Sequence, residues 1–215
     1  MGLTINLSGV SKSYGGKPAL IGLSHDFEPG GIYSIMGPNG SGKSTLLRLC
    51  ALLEPPDAGR INYLESNNIL NNDMTLKRRI TLVLPRPALF NAAVFKNAAY
   101  GLSIRGMERD AIKIKVEAML EKVGLLGKSG LSALSLSSGE AQRLSLARAM
   151  VIEPDVLFLD EPTAFVDEAN TAIIEELILS MRHQGKQTIV MATHDRAQAE
   201  RLSDGVLLIR DGYAG

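Results

Sequence analysis

The run GPNGSGKST, residues 37–45, sets glycines at 37, 40 and 42 ahead of Lys43, Ser44 and Thr45. Glycines so spaced let the backbone turn tightly and aim successive N–H groups at one point, which suits a chain of phosphates. Gly37 to Ser44 satisfies G-x-x-x-x-G-K-[ST], with a strand-like GGIYSIM before it and a helix-like STLLRLCALL after it. Gly37, Pro38, Asn39, Gly40, Ser41 and Gly42 then form the cradle, and the following helix adds its positive end. Lys43 offers a mobile charge for the β- and γ-phosphates, and the Ser44 hydroxyl, beside Thr45, suits magnesium.

Three further stretches fit that chemistry. In VLFLDEP, residues 156–162, an apolar strand delivers Asp160 to its end, as a magnesium-associated acid, and Glu161 beside it as an acceptor for a water proton. Pro162 keeps Glu161 out of helical backbone. On its own an Asp-Glu pair after a strand is a solvated turn; after a phosphate loop it is the expected partner. QTIVMATHD brings His194 to the end of another strand, where it can bond a γ-phosphate or orient water. LSLSSGEAQRLSLARAM, residues 134–150, opens a helix on Ser137, Ser138 and Gly139. Ser137 and Glu140 have the spacing of a capping box, yet the small residues also let an anion reach the helix start.

The elements that must hold these residues follow from pattern. The runs INLSGV, ALIGLSHDF and GGIYSIM, parted by Gly and Pro, predict an antiparallel N-terminal region, and GRINYL with RRITLVL a further strand pair. Ile112, Val116, Met119, Leu120 and Val123 recur at helical spacing and predict a helical middle. DVLFLD, NTAIIEELILSMR, QTIVMAT, DRAQAERL and GVLLIRD then alternate strand with helix. That alternation predicts an α/β fold with a mainly parallel sheet. A chain of 215 residues with 45% apolar and 21% charged residues reads as one globular domain, residues 1–215.

Lys plus Arg and Asp plus Glu are balanced at 23 each, so charge gives no reason to expect nucleic acid as the partner, and Lys77-Arg78-Arg79 reads as solvated surface. No apolar run nears the roughly 20 residues that span a bilayer, and the N-terminus lacks a signal-peptide core, which predicts a cytoplasmic chain. Cys50, amid LLRLCALL, reads as a core residue; His25 and His183 read as structural or exposed.

Taken in order, these pieces resemble the ATP-binding cassette (ABC) ATPases, over nearly the whole chain. SKSYGGKPAL is similar to the segment whose aromatic, here Tyr14, stacks on adenine; GPNGSGKST to the Walker A loop; VLFLDEP to the Walker B strand. AFVD, ending at Asp167, resembles the D-loop, THD carries a switch histidine, and LSSGE stands where the family writes LSGGQ. The resemblance implies a P-loop NTPase with a helical subdomain inserted at about residues 86–150, binding ATP and Mg2+, with Asp160 and Ser44 at the metal and Glu161 as catalytic base. It implies a homodimer with two ATPs sandwiched head to tail, so that Ser137 and Gly139 of one copy meet the γ-phosphate held by the other. Separate permease subunits, a solute-binding protein outside the cell and a place on the inner face of the membrane go with the importer type. The pattern is most similar to cassettes for oxyanions such as tungstate or molybdate.

Three residues depart from the family. Ser138 replaces a glycine, Glu140 a glutamine, and Pro85, in RRITLVLPRPALF, the glutamine that follows the strand. Proline has no amide side chain to reach metal or water. A cassette that signals to a membrane partner without transport, and a soluble one acting on nucleic acid or ribosomes, are the alternatives.

Overall fold

The computed structural model describes residues 2–182 and 187–215, so His183 lies outside the described residues. In chain order the elements are β1 (Thr4–Tyr14), β2 (Lys17–Phe27), β3 (Ile32–Met36), α1 (Lys43–Cys50), β4 (Ala58–Glu65), β5 (Asn68–Ile69), α2 (Met74–Lys77) and β6 (Ile80–Val83). Then come α3 (Val94–Ser103), α4 (Arg109–Lys122), α5 (Ser138–Met150), β7 (Val156–Asp160), α6 (Glu168–Arg182), β8 (Thr188–Ala192), α7 (Arg196–Leu202), β9 (Gly205–Arg210) and β10 (Tyr213–Ala214). They fall into two compact units: Met1–Leu82, Asp155–Glu161 and Met181–Gly215 make the first, Val83–Pro154 and Pro162–Ser180 the second.

The first unit holds two sheets, ordered β2-β1-β4-β5 and β10-β9-β3-β8-β7-β6. β1 pairs antiparallel with β2 and β4, while β3 runs parallel to β8 and β9, and β7 parallel to β8. β7 and β8 are buried at every position, the mark of strands covered on both faces. β3, expected among the antiparallel runs, belongs to the parallel sheet: Ile32, Ser34 and Ile35 are buried and no side chain of the strand is fully exposed. GRINYL and RRITLVL do not pair with each other. β5 folds back on β4 (Leu64 opposite Ile69), α2 intervenes, and β6 lies at the far edge of the other sheet.

The basic run is split in the same way. Lys77 and Arg78 are exposed, but Arg79 is half-buried, its Nε donating to Asp155 Oδ2 at 2.6 Å and its Nη2 to Glu65 Oε1 at 2.7 Å. A planar guanidinium can serve two carboxylates at once, and Arg79 ties the end of β4 to the start of β7. Cys50 is fully buried and burial pushes its thiol far up, as befits a core residue.

In the second unit α3 lies against α4 and α5. α4 buries Ile112, Val116 and Leu120, with Val123 buried just beyond it and Met119 half-buried. The 86–150 segment expected as a helical insert lies within this unit, which also takes in 162–180. Among the described residues no helix is long and apolar enough to cross a membrane.

Arg79→Ala should lower the free energy of unfolding by about 1–2 kcal/mol, a modest figure because all three partners are partly solvated. Urea denaturation at low and high salt checks it: the deficit should shrink with salt, and Arg79→Lys, which lacks the fork, should recover only part.

Candidate active site

Parallel pairing brings three strand ends to one edge. Asp160 of β7 lies opposite Ala192 of β8, and Ala192 opposite Ile35 of β3. Glu161 N then donates to Ala192 O at 3.0 Å and Thr193 N to Ile35 O at 3.1 Å, so Gly37, Glu161 and His194 leave the sheet together. That is where open α/β sheets bind ligands.

The loop from Gly37 to Gly42 joins β3 to α1. A side chain on Gly37 would overlap the Ile209 carbonyl and one on Gly42 the Ala19 carbonyl, and both residues have positive φ, at 154° and 108°. Gly42 is the N-cap of α1, with no side-chain cap, and the first turn has no acid. Its free N–H groups and the dipole's positive end are left for an anion. Pro38, Asn39 and Gly40 form the exposed rim; Ser41 and Thr45 are buried, and Ser41 Oγ has no hydrogen-bond partner among the described residues. Lys43 Nζ donates to Gly37 O at 2.9 Å and Pro38 O at 3.2 Å, so the ammonium lies across the loop.

Ser44 Oγ donates to Asp160 Oδ1 at 3.0 Å, from the first turn of α1 to the end of β7. Two hard oxygens at that spacing fit Mg2+, which takes few protein ligands and keeps room for phosphate oxygens. Burial raises the Asp160 carboxyl above the ordinary aspartate range and the neighbouring Glu161 charge adds to it, while the Ser44 hydrogen bond, Arg48 and Lys43 oppose them. Glu161 has φ 48°, a left-handed backbone that costs a non-glycine residue about 1–3 kcal/mol. Its Oε2 lies 2.8 Å from His194 Nδ1, and the His194 side chain is itself mostly exposed.

Tyr14 ends β1 with its ring half in solvent. Its hydroxyl donates to Glu54 Oε1 at 2.6 Å; Arg48 Nε donates to the same oxygen at 2.8 Å, and Arg48 Nη2 to the Tyr14 hydroxyl at 3.2 Å. Arg48 and Glu54 escape a reading by motif, because each is an ordinary surface-type residue until the fold joins them.

In the second unit Ser137 caps α5 and the box is complete: Glu140 N donates to Ser137 Oγ at 3.3 Å and Ser137 N to Glu140 Oε2 at 3.1 Å. Lys128 Nζ holds the other Glu140 oxygen at 2.6 Å. Ser138 is exposed, whereas Gly139 is buried. Asp167 accepts from the backbone and side-chain nitrogens of Asn170, bonds that hold its carboxyl below the ordinary range. Asn170 and its partner Arg143 were not among the residues singled out from sequence.

With its raised Asp160, the native chain binds more protons than the unfolded one between the unfolded and folded pKa values. Stability is therefore lost as pH rises through that window, where the buried Asp160 carboxyl becomes charged. Asp160→Asn, which keeps an acceptor for Ser44, should flatten the pH dependence of the melting temperature in that window and raise the melting temperature above it.

The chain matches the ABC transporter family model over residues 20–164. It is 38% identical over 213 residues to the tungstate uptake system ATP-binding protein TupC of Peptoclostridium acidaminophilum, covering 99% of this chain and 97% of that protein. Identity is also 38% to the phosphate import ATP-binding protein PstB 2 of Natronomonas pharaonis, over 96% of this chain and 76% of that one. A solved ATP-binding cassette, dimeric in a post-hydrolysis state with ADP and Pi bound, superposes with a TM-score of 0.86 at 27% identity, over 98% of this chain and 96% of that one. Resemblance at this breadth, on top of the phosphate loop and its paired carboxylates, makes the chain an ATP-hydrolysing member of the ABC transporter family.

Proposed function

We propose that this chain is the ATPase subunit of an import system whose solute passes through separate permease subunits, with a solute-binding protein outside. The observation that carries the reading is the near end-to-end likeness to an uptake ATPase, joined to a site that is chemically half complete. The first unit carries one phosphate cradle, and the second one small-residue helix start. Two copies head to tail would complete two sites.

In this cycle Lys43 exchanges the Gly37 and Pro38 carbonyls for the β- and γ-phosphates, and α1 supplies N–H groups and its dipole. Ser44 and Asp160 would hold magnesium, which when bound neutralises charge on the β- and γ-oxygens. Glu161 accepts a proton from water in line with the γ-phosphate, and His194 orients that carboxylate and the water. Tyr14 stacks on the base. Ser137 and Gly139 of the second copy close over the γ-phosphate, and Asp167 lies at the same junction. Closure drives the permease between inward- and outward-facing forms, and hydrolysis reopens the dimer.

A permease needs a place to press. In the second unit Phe90 and Tyr100 are both half-exposed, with ring centres 4.7 Å apart and the Arg148 guanidinium 5.3 Å from the Phe90 centre. Buried Asn97 holds their loop, accepting from Phe90 N at 2.8 Å and donating to Phe90 O at 3.1 Å. A groove of about 470 Å³ lined by Phe95, Ala99, Tyr100 and Ile112 adjoins them. This surface suits an amphipathic segment of a membrane subunit. Tungstate or another oxyanion is the solute class that TupC and the phosphate importer support; no residue here is assigned to it.

Affinity purification from detergent-solubilised membranes should recover a multi-spanning permease; ribosomal or nucleic-acid components without one would overturn the transporter reading. Glu161→Gln should bind ATP, lose about 10²–10⁴-fold in hydrolysis rate as general-base variants do, and accumulate as dimer on gel filtration. A chain that stays monomeric at saturating ATP and high protein concentration would count against the sandwich. Pro85 follows β6 by two residues, and in its place water or the Pro85 carbonyl would serve where the family uses a glutamine amide. Pro85→Gln should then raise basal ATPase; an unchanged rate and unchanged stimulation by the permease would remove that explanation.

A further inference from the structure

Gly139 is tightly packed on one side. A Cβ there would lie 2.8 Å from Asn170 Oδ1 and nearer still to Cγ and Nδ2, so the α5 start rests directly on the Asn170 amide. That amide is fully engaged. Arg143, one turn further along α5, donates its Nε to Asn170 Oδ1 at 2.8 Å, and Asn170 Nδ2 donates to Asp167 Oδ1 at 2.9 Å and Oδ2 at 2.8 Å. Arg143 is only 8% exposed and also donates to the Val123 carbonyl. Charge-assisted bonds of this kind are directional, and the buried Arg143 end anchors the part-buried amide while the Asp167 end reaches solvent.

We infer that Asn170 is a positioning residue: it locks the Gly139 end of α5 to the Asp167 loop, so both face a second copy in one fixed geometry. The inference rests on the sandwich reading above, and it separates two roles within one motif. Gly139 must be glycine because Asn170 occupies the space of its side chain. Ser138, exposed, meets no such constraint, which is why a side chain is tolerated there. An asparagine suits the joint because one end must accept from Arg143 and the other donate to Asp167.

The test uses the full chain in the Glu161→Gln background. Adding Asn170→Ala should leave ATP affinity of the monomer unchanged, read by a fluorescent ATP analogue at protein concentrations too low for dimers. It should raise the ATP concentration for half-maximal dimerisation by about tenfold or more, since misplacement by 1 Å can cost on the order of 10²-fold. Asn170→Asp, which keeps the acceptor for Arg143 but sets a carboxylate against Asp167, should dimerise as poorly. A second readout isolates the packing. Gly139→Ala should lower the melting temperature, and Asn170→Ala in the same chain should restore it without restoring the dimer. Equal dimerisation of parent and Asn170→Ala would overturn the inference alone, and joint loss of monomer ATP binding would assign Asn170 a merely structural role. A parent that never dimerises would overturn the sandwich reading and this inference with it.

Discussion

Register among β3, β8 and β7 is the constraint from which the first unit's chemistry hangs. With Ile35, Ala192 and Asp160 side by side, the strands lead on to the glycine loop, to His194 and to Glu161. A slip of one residue would turn Asp160 to the other face. Yet strands buried on both faces carry no polar alternation to set that register. The polar groups that do so sit at the opposite ends of the strands. Arg79 holds Asp155, Thr188 N donates to Asp155 O at 2.9 Å, Gly30 N to Thr188 Oγ1 at 3.0 Å and Ile32 N to Asp204 Oδ2 at 2.9 Å. The site's accuracy is thus set a strand's length away from it.

The two helix starts are treated in opposite ways. α1 has neither a side-chain cap nor an acid in its first turn, so an arriving phosphate displaces only the Lys43 ammonium's contacts with loop carbonyls. α5 is closed by a full capping box with Lys128 behind it, and a cap is worth about 0.5–2 kcal/mol. An anion at α5 must compete with Ser137, whereas an anion at α1 competes with little. In the proposed cycle this sets an order, nucleotide on the loop first and the α5 start second, without any separate gate.

Much of this was legible from residues alone, for identifiable reasons. The glycine loop, VLFLDEP and THD are local: each is a strand end followed by its chemistry, and sequence spacing equals spatial spacing there. The helical run through Ile112, Val116 and Leu120 and the Ser137–Glu140 box are local too. What escaped was long-range. GGIYSIM and RRITLVL look like any strands, and only pairing with β8, β9 and the sheet edge assigns them to the larger sheet. Arg79 sits in a basic triplet, and nothing near it in sequence announces Glu65 and Asp155. Asn170, 27 residues from Arg143, is an ordinary polar residue of a helix start until α5 is packed on it.

The first unit's site also gathers unfavourable features of its own. Asp160 is 5% exposed, its carboxyl is raised by that burial, and Glu161 adds a like charge from a left-handed backbone. Ser41 Oγ is buried without a partner among the described residues, while Lys43 donates to the loop carbonyls. The raised carboxyl, the left-handed backbone and the unpartnered hydroxyl are each unfavourable alone. A ligand bearing phosphates and a cation would answer all of them together, so binding it must stabilise the native chain by mass action as well as by new contacts. Strain concentrated where no packing need explains it is the signature of a surface selected for what it binds. The part-buried polar contacts at the other strand ends are what hold the sheet while the site carries it.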